Sequence, residues 1–313
     1  LIHQQVPRRN QSAKGMAETC RPAAWLIGRT VGAALFFGAS AAAAAEWLFD
    51  FDAGAFYDSN LSRAQKSSDV RADAAATLAA SAGNFYALTG NDGLTLSIEG
   101  RGEAYHRFHG LNFIGAGASA DFRHKFDLGY AAPWLRIAAS ASYDGYQQNL
   151  RSGARWDARA EVGQRLSEQF DAALGGMFDR RYAEHDEPVV PGISGKVFDL
   201  RGHSVYFRAG YAATEALLLG ARVEVRRGDV VSSTRRNLEV FEASSAIAHD
   251  PAFGDDFFAY RLRGTTGTAT VSASWAIDTR SSLNLVYAAE RTRAYDELDY
   301  HSYRVDFAYA YRY

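Results

Sequence analysis

Beyond residue 45, apolar and polar residues alternate at period two through segment after segment. Trp47, Phe49, Phe51, Ala53, Ala55 and Tyr57 share one parity, with Asp50 and Asp52 on the other. At the far end Tyr303, Val305, Phe307, Tyr309, Tyr311 and Tyr313 alternate with Ser302, Arg304, Asp306 and Arg312. Between them Leu94, Leu96 and Ile98 oppose Ser97, Glu99 and Arg101, and Trp156, Ala158, Ala160 and Val162 oppose Arg155, Asp157, Arg159 and Glu161. Side chains of a strand point alternately to its two faces, so this pattern predicts half-apolar β-strands. About twelve are expected, near 47–57, 70–82, 93–105, 112–125, 134–146, 154–166, 170–182, 203–212, 216–227, 258–277, 282–293 and 302–313. The tenth is long and changes phase between Leu262 and Val271, which predicts a β-bulge over 264–267.

The connections alternate in length. Short ones carry turn residues (Asn91, Asp92 and Gly93; 127–133; Ser167, Glu168 and Gln169; Ala213, Thr214 and Glu215; Asp278, Thr279 and Arg280). Longer polar ones interleave with them, notably 183–202 and 228–257. Short periplasmic turns and long external loops mark transmembrane β-barrels, and with both ends periplasmic every long connection falls outside. No segment after residue 45 approaches the roughly 18 apolar residues of a spanning helix. The expected fold class is all-β, an antiparallel up-and-down transmembrane β-barrel of about 12 strands, or 14 if 228–257 hides another hairpin. A soluble barrel or sandwich would turn these aromatics and leucines inward, where they would overfill the interior while charges lined the outside.

Composition sharpens this picture. The 313 residues carry 34 basic and 36 acidic side chains, a balance that gives no electrostatic reason for a nucleic-acid partner. Aromatics reach 13%, with 17 Tyr and 19 Phe, in a chain of mean hydropathy −0.25. A greasy outer face and a wet inner face account for both values. Residues 1–15 read as an over-extended translation before a start at Met16. Residues 16–45 read as a secretory signal, with Arg21 and Arg29, an apolar core at 30–38 and small residues at 39–45. Cleavage after Ala45 would remove Cys20, the single cysteine, and leave 46–313 as a thiol-free barrel without disulfides, Cys-ligated zinc or thiol chemistry.

The inner faces then hold the candidate chemistry. Asp50, Asp52, Arg136, Arg155, Asp157, Arg159, Glu161, Arg222, Glu224, Arg226, Arg261, Arg263, Arg304 and Asp306 are expected to face the lumen. Closure should bring Arg304 and Asp306 near Asp50 and Asp52. Such charges either pair across strands and hold the register or set a field that selects solutes in a watery pore. Trp47, Tyr57, Trp134, Tyr143, Trp156, Phe170, Trp275, Tyr303 and Tyr313, near strand ends, are expected at the headgroup level. Acidic loop clusters (184–187, Asp255 with Asp256, and Asp296 and Glu297 with Asp299) read as solvated charge rather than a metal site, and no cofactor is expected. His203-Ser204 and His301-Ser302 cannot serve as base and nucleophile, because neighbours in a strand face opposite sides. No enzyme is expected.

The final strand, with Val305, Phe307, Tyr309, Tyr311 and Tyr313, resembles the recognition strand of outer-membrane proteins. That resemblance implies pairing with the barrel-assembly machinery. FDAGAFYDSNLSRA at 51–64, with Tyr57, Asp58, Ser59 and Asn60, resembles the first strand and loop of Gram-negative porin-type barrels. The same stretch is similar to the barrel domain of surface lipoprotein assembly modifiers, whose N-terminal helical repeats this sequence lacks. The resemblance implies an outer-membrane location beside lipid and lipopolysaccharide. The leading functional expectation is a channel for passive transport of small polar solutes. A translocation or assembly barrel for a surface lipoprotein or exopolysaccharide, and a structural or adhesive barrel, stay open as alternatives.

Overall fold

Alternation becomes strand almost throughout the computed structural model, which describes residues 46–294 and 298–313. The segments read as leader and signal, 1–45, lie outside these residues, as do Asp296 and Glu297. The strands are β1 (Glu46–Asp58), β2 (Asp73–Ala87), β3 (Asp92–Tyr105), β4 (Phe113–Lys125), β5 (Trp134–Tyr146), β6 (Gly153–Arg165) and β7 (Phe170–Arg181). They continue with β8 (Leu200–Ala212), β9 (Leu217–Arg235), the short β10 (Ala246–His249), β11 (Phe257–Ala276), β12 (Ser281–Ala294) and β13 (Leu298–Arg312). Each pairs antiparallel with its neighbour, β1 with β13 and β9 with β11, so every strand but β10 joins one closed ring of twelve. Closure leaves no row of unpaired backbone groups for lipid to meet. The second strand runs further toward the periplasmic side than its alternation predicts, because its alanine-rich run gives little contrast and Phe85 faces inward.

The outward parity carries an apolar belt. Phe51, Ile98, Val162, Leu174, Val205, Val223, Val271 and Phe307 are all exposed on it. On a protein in water so continuous a patch would drive association; around a closed barrel it is the surface that contacts lipid. Among the described residues no helix is long and apolar enough to cross a membrane.

The segment 228–257 adds no barrel hairpin. It lengthens β9 and β11 into a ribbon and carries a short helix, α1 (Leu238–Ala243), and β10, which pairs with β11 above the end of β12. The β9–β11 register runs unbroken from Leu217 opposite Trp275 to Arg235 opposite Phe257, so the bulge expected at 264–267 does not form. Leu262 faces inward and is fully buried, while Arg261 and Arg263 take the outward parity. This corrects the lumen assignment of both arginines. The phase holds and the surroundings change: below Gly228 and Gly264 the outward parity meets lipid, whereas above them Arg263 is exposed on that parity, Leu262 packs into a core on the inner one, and Ala259 and Phe257 are covered by the cap.

That core caps the mouth. Val230, Val240, Ile247, Tyr260, Leu262, Ala294, Leu298 and Tyr300 form one buried cluster; Leu150, Val197, Phe198, Ala246, Ala248 and Ala259 form a second; Leu111, Phe253 and Phe257 form a third. The ribbon and its loop touch the four other described external connections and the strand ends that flank 295–297. Ser232 Oγ donates to the Arg63 carbonyl at 2.8 Å and Thr234 to the Asp69 carboxylate, both in the β1–β2 loop. Phe253 meets Phe108 of the β3–β4 loop edge-on at 5.3 Å. Arg151 of the β5–β6 loop grips Asp250 with two bonds of 2.7 and 2.6 Å, both side chains buried. Ile247 N–H donates to Ser194 O of the β7–β8 loop at 2.9 Å. Ala294 and Leu298, at the two ends of the β12–β13 connection, pack in the first cluster. Each fully buried Leu or Phe contributes about 1.5–3 kcal/mol relative to exposure, so the cap is held by many modest increments.

Candidate functional site: the barrel lumen

The inward parity places Asp50, Asp52, Arg136, Arg155, Asp157, Arg159, Glu161, Arg222, Glu224, Arg226, Arg304 and Asp306 on the inner wall, and most meet a partner there. Asp144 is fully buried between Arg101, with both carboxylate oxygens at 2.8 Å from Nη2, and Arg155 at 3.4 Å. Arg136 holds Asp121 through Nε at 2.7 Å. Arg208 grips Glu161 at 2.8 and 3.0 Å and reaches Asp171 at 3.3 Å. Ser140 donates to Asp157 at 2.6 Å, Arg226 takes Asp179 at 2.7 and 3.0 Å, and Arg222 holds Glu224 two residues along its own strand. All but the last of these pairs join neighbouring or next-nearest strands, so they lock register and cancel charge together.

Aromatics complete this wall. Trp134, expected at the headgroup level, instead faces inward, with the guanidinium carbons of Arg123 and Arg208 at 5.2 and 5.4 Å from its ring. Its parity with Arg136 already assigned it to the lumen, and strand-end position misled. Arg222 lies 3.8 Å from the Tyr206 ring. Cation–π stacking of this kind keeps long arginine side chains flat against the wall.

The seam between β1 and β13 corrects a second expectation. Asp50 lies opposite Arg312 and bonds to it, whereas Arg304 stands opposite Asp58 and Asp306 opposite Phe56. The end of β13 pairs with the start of β1, which sets Arg304 and Asp306 several residues above Asp50 and Asp52. Arg304 bonds to Asp306 at 2.6 Å and lies 3.6 Å above the Phe56 ring.

Above that seam the Tyr57, Asp58, Ser59, Asn60 element takes on a concrete role. Asp58 and Asn60 are buried, and Asn60 Nδ2 donates to Ala64 O at 2.9 Å and His301 O at 3.2 Å. Arg63, held at φ 54, bonds to Asp58 at 3.1 Å and to Ser302 Oγ at 2.8 Å and reaches Glu290 at 3.7 Å, so one guanidinium ties β1, β12 and β13 beneath the cap. Burial disfavours its charge, but the Glu290 and Asp58 carboxylates outweigh that and push its pKa further up.

The opposite wall is different in kind. On the inward parity β11 presents Thr266, Thr268, Thr270, Ser272 and Ser274, and β12 presents Asn284, Val286 and Ala288, with no charge from Gly264 to Ala276 of β11. In the ring these strands stand across from β4 and β5. Several inward oxygens (Glu99 Oε1, Ser142 Oγ, Ser204 Oγ, Asn284 Oδ1 and Asp306 Oδ2) have no protein hydrogen-bond partner. They are shielded by the side chains packed around them, so the inner wall is polar throughout and densely filled.

His203 and His301 are exposed on the outward parity while Ser204 and Ser302 are buried on the inward one, so neither pair can cooperate. Among the described residues no three His, Cys, Asp or Glu side chains gather where a metal ion could be held. Asp186 accepts Gly195 N–H at 2.7 Å and Asp256 pairs with Arg235 at 2.6 Å, so these loop acids serve local structure.

No protein-family model matches the chain, and no curated protein matches its sequence. Solved structures match in fold. An outer-membrane channel from Pseudomonas putida F1 superposes with a TM-score of 0.51 at 12% identity, over 85% of this chain and 95% of that one. The NanC porin (TM-score 0.45, 8% identity, 82% of this chain and 98% of that one) and the outer-membrane channel DcaP of Acinetobacter baumannii (0.44, 10%, 88% and 99%) are also similar. At such identities the likeness to the first is one of fold alone: this chain is a closed antiparallel β-barrel of the outer-membrane kind.

Proposed function

We propose that the protein is a passive outer-membrane channel for small polar solutes, closed at its external mouth by the cap. The carrying observation is the lumen itself, a polar and charged inner wall running behind an apolar outer belt. About twelve strands give a bore between side-chain-filled eight-stranded barrels and open porins of sixteen. Because the wall's arginines are matched by carboxylates, the channel discriminates weakly between ions of opposite sign. In this reading residues 16–45 direct export, lipopolysaccharide surrounds the outer rim, and the last strand, Val305 to Tyr313, is what the assembly machinery engages.

The test is single-channel recording of refolded protein beside a variant in which 237–255 is replaced by a short turn. Conductance that is small or intermittent in the parent and large and steady in the shortened variant, with a reversal potential near zero, is expected. A folded shortened barrel that never conducts would refute the reading. That outcome would favour a structural or adhesive barrel, for which the consolidation of the described external connections into one surface is the supporting observation.

A further inference from the structure

Just above the lipid belt, a groove of about 630 Å³ opens on the outside of the barrel. Its walls carry four cations, Arg201, Arg227, Arg263 and Arg293, with His203 among them, all exposed and all on the outward parity. The register explains the concentration. His203 pairs with Arg227, Arg227 with Thr265, and Thr265 with Arg293, so four neighbouring strands contribute to one row. Arg263 stands one step higher, opposite Asp229. Between the two rows run Gly202, Gly228 and Gly264, in register with one another. These glycines take the inward parity, and a Cβ on Gly228 would lie 2.5 Å from the Gly202 Cα, so the strands approach closely beneath the groove and its floor is backbone.

The acids nearby do not fill the groove. Asp299 is held by Arg291 at 2.6 Å and by Arg293 at 3.3 Å, and Asp229 accepts the Arg201 backbone N–H at 3.0 Å. Among the described residues Arg227 and Arg263 have no carboxylate in salt-bridge range. Immediately below, Val205, Phe207, Val223, Val225 and Val271 are exposed and apolar. Cations directly above an apolar lipid-facing surface complement an amphiphile with anionic headgroup and acyl chains. Arg227 and Arg293 are two strands apart, about 10 Å by the interstrand spacing, which suits two separate phosphates rather than one.

We propose that this groove binds a bisphosphorylated glycolipid of the outer leaflet, of the lipid A class, with the phosphates on the arginines and the acyl chains on the belt beneath. The inference rests on the outer-membrane placement argued above, and not on conduction. Binding of purified lipid A to the refolded barrel in detergent is the test, run beside enzymatically dephosphorylated lipid A and inorganic phosphate. Single variants Arg227→Gln, Arg263→Gln and Arg293→Gln should each weaken lipid A binding about fivefold, and the triple variant roughly a hundredfold. Arg280→Gln, an equal charge loss in a periplasmic turn, should change nothing, and Arg263→Lys should keep most of the affinity. Heat-modifiable gel mobility establishes folding, and the single variants carry the test if the triple one misfolds. Equal binding of the dephosphorylated lipid, equal affinity for inorganic phosphate alone, or undiminished binding by the variants would each overturn the proposal. Conductance is recorded on the same preparations. A conducting barrel that ignores lipid A refutes only this inference, and a silent barrel that binds it refutes only the channel.

Discussion

Strand β9 passes through two environments and inverts its polarity between them. Below Gly228, Val223 and Val225 face out and Arg222, Glu224 and Arg226 face in; above it, Asp229 faces out and Val230 packs into the buried cluster. Strand β11 does the same across Gly264, from Val271 outside and Thr270 inside to Arg263 outside and Leu262 inside. Neither strand slips by a residue. Alternation therefore reports strand geometry, while which parity is apolar reports what lies on each side. In a membrane protein those two readings separate at the edge of the bilayer.

The sharpest way to break this contrast is to attack a doubly buried ion pair of the cap, Arg151 with Asp250. Arg151→Met leaves Asp250 buried without its cation, a loss of about 3–5 kcal/mol. The cap should loosen while the barrel stays intact, seen as protease cleavage within 236–256 of a protein that still shows heat-modifiable mobility. Resistance equal to the parent's would mean the cap is not held from this point. Next in size, Leu262→Ala should cost about 2–5 kcal/mol as a core cavity. Val225→Ala, five register steps below on the lipid side of the neighbouring strand, should cost less, since fluid acyl chains fill the space. Denaturant titrations from vesicles compare the two, and equal losses would erase the distinction between packed core and lipid contact. Arg208→Met should change stability less than selectivity: with Glu161 and Asp171 no longer neutralised, the reversal potential should move toward cations. The smallest effect is expected for Arg263→Val, within about 0.5 kcal/mol for an exposed site. A large loss there would place Arg263 in an interior contact after all.

The barrel was legible because each spanning strand repeats one contrast many times, and no local exception could mask it. The same repetition showed which parity gathers the charges, with Arg155, Asp157, Arg159 and Glu161 together on one face of β6. Arg261 and Arg263 misled because polarity was taken as a marker of side throughout, although above Gly264 the apolar parity is the inner one. Trp134 misled because an amphipathic ring suits a headgroup region as well as an arginine stack. The partners Asp121, Asp144, Asp171 and Asp179 depend on which strand lies beside which and at what stagger, and alternation is blind to both. The cap was least visible: Arg151 and Asp250 are 99 residues apart, and nothing around either announces the other. Asp58 and Asn60 did leave a trace, in the short element shared with other barrels.

The cap's bonds also fix an order of events. Thr234 and Asp69 are 165 positions apart, and Asn60 and His301 are 241. Contacts so distant along the chain cannot nucleate folding, since the cost of bringing their ends together must be met by structure already in place. That structure is the closed ring, because the β1–β2 loop comes beside His301 only once β13 lies against β1. A barrel stalled before that step would present its three apolar clusters to water as separate sticky surfaces, open to proteases and to aggregation. The finished cap is in this sense a seal of completed biogenesis, and resistance of 236–256 to cleavage would mark the moment insertion ends.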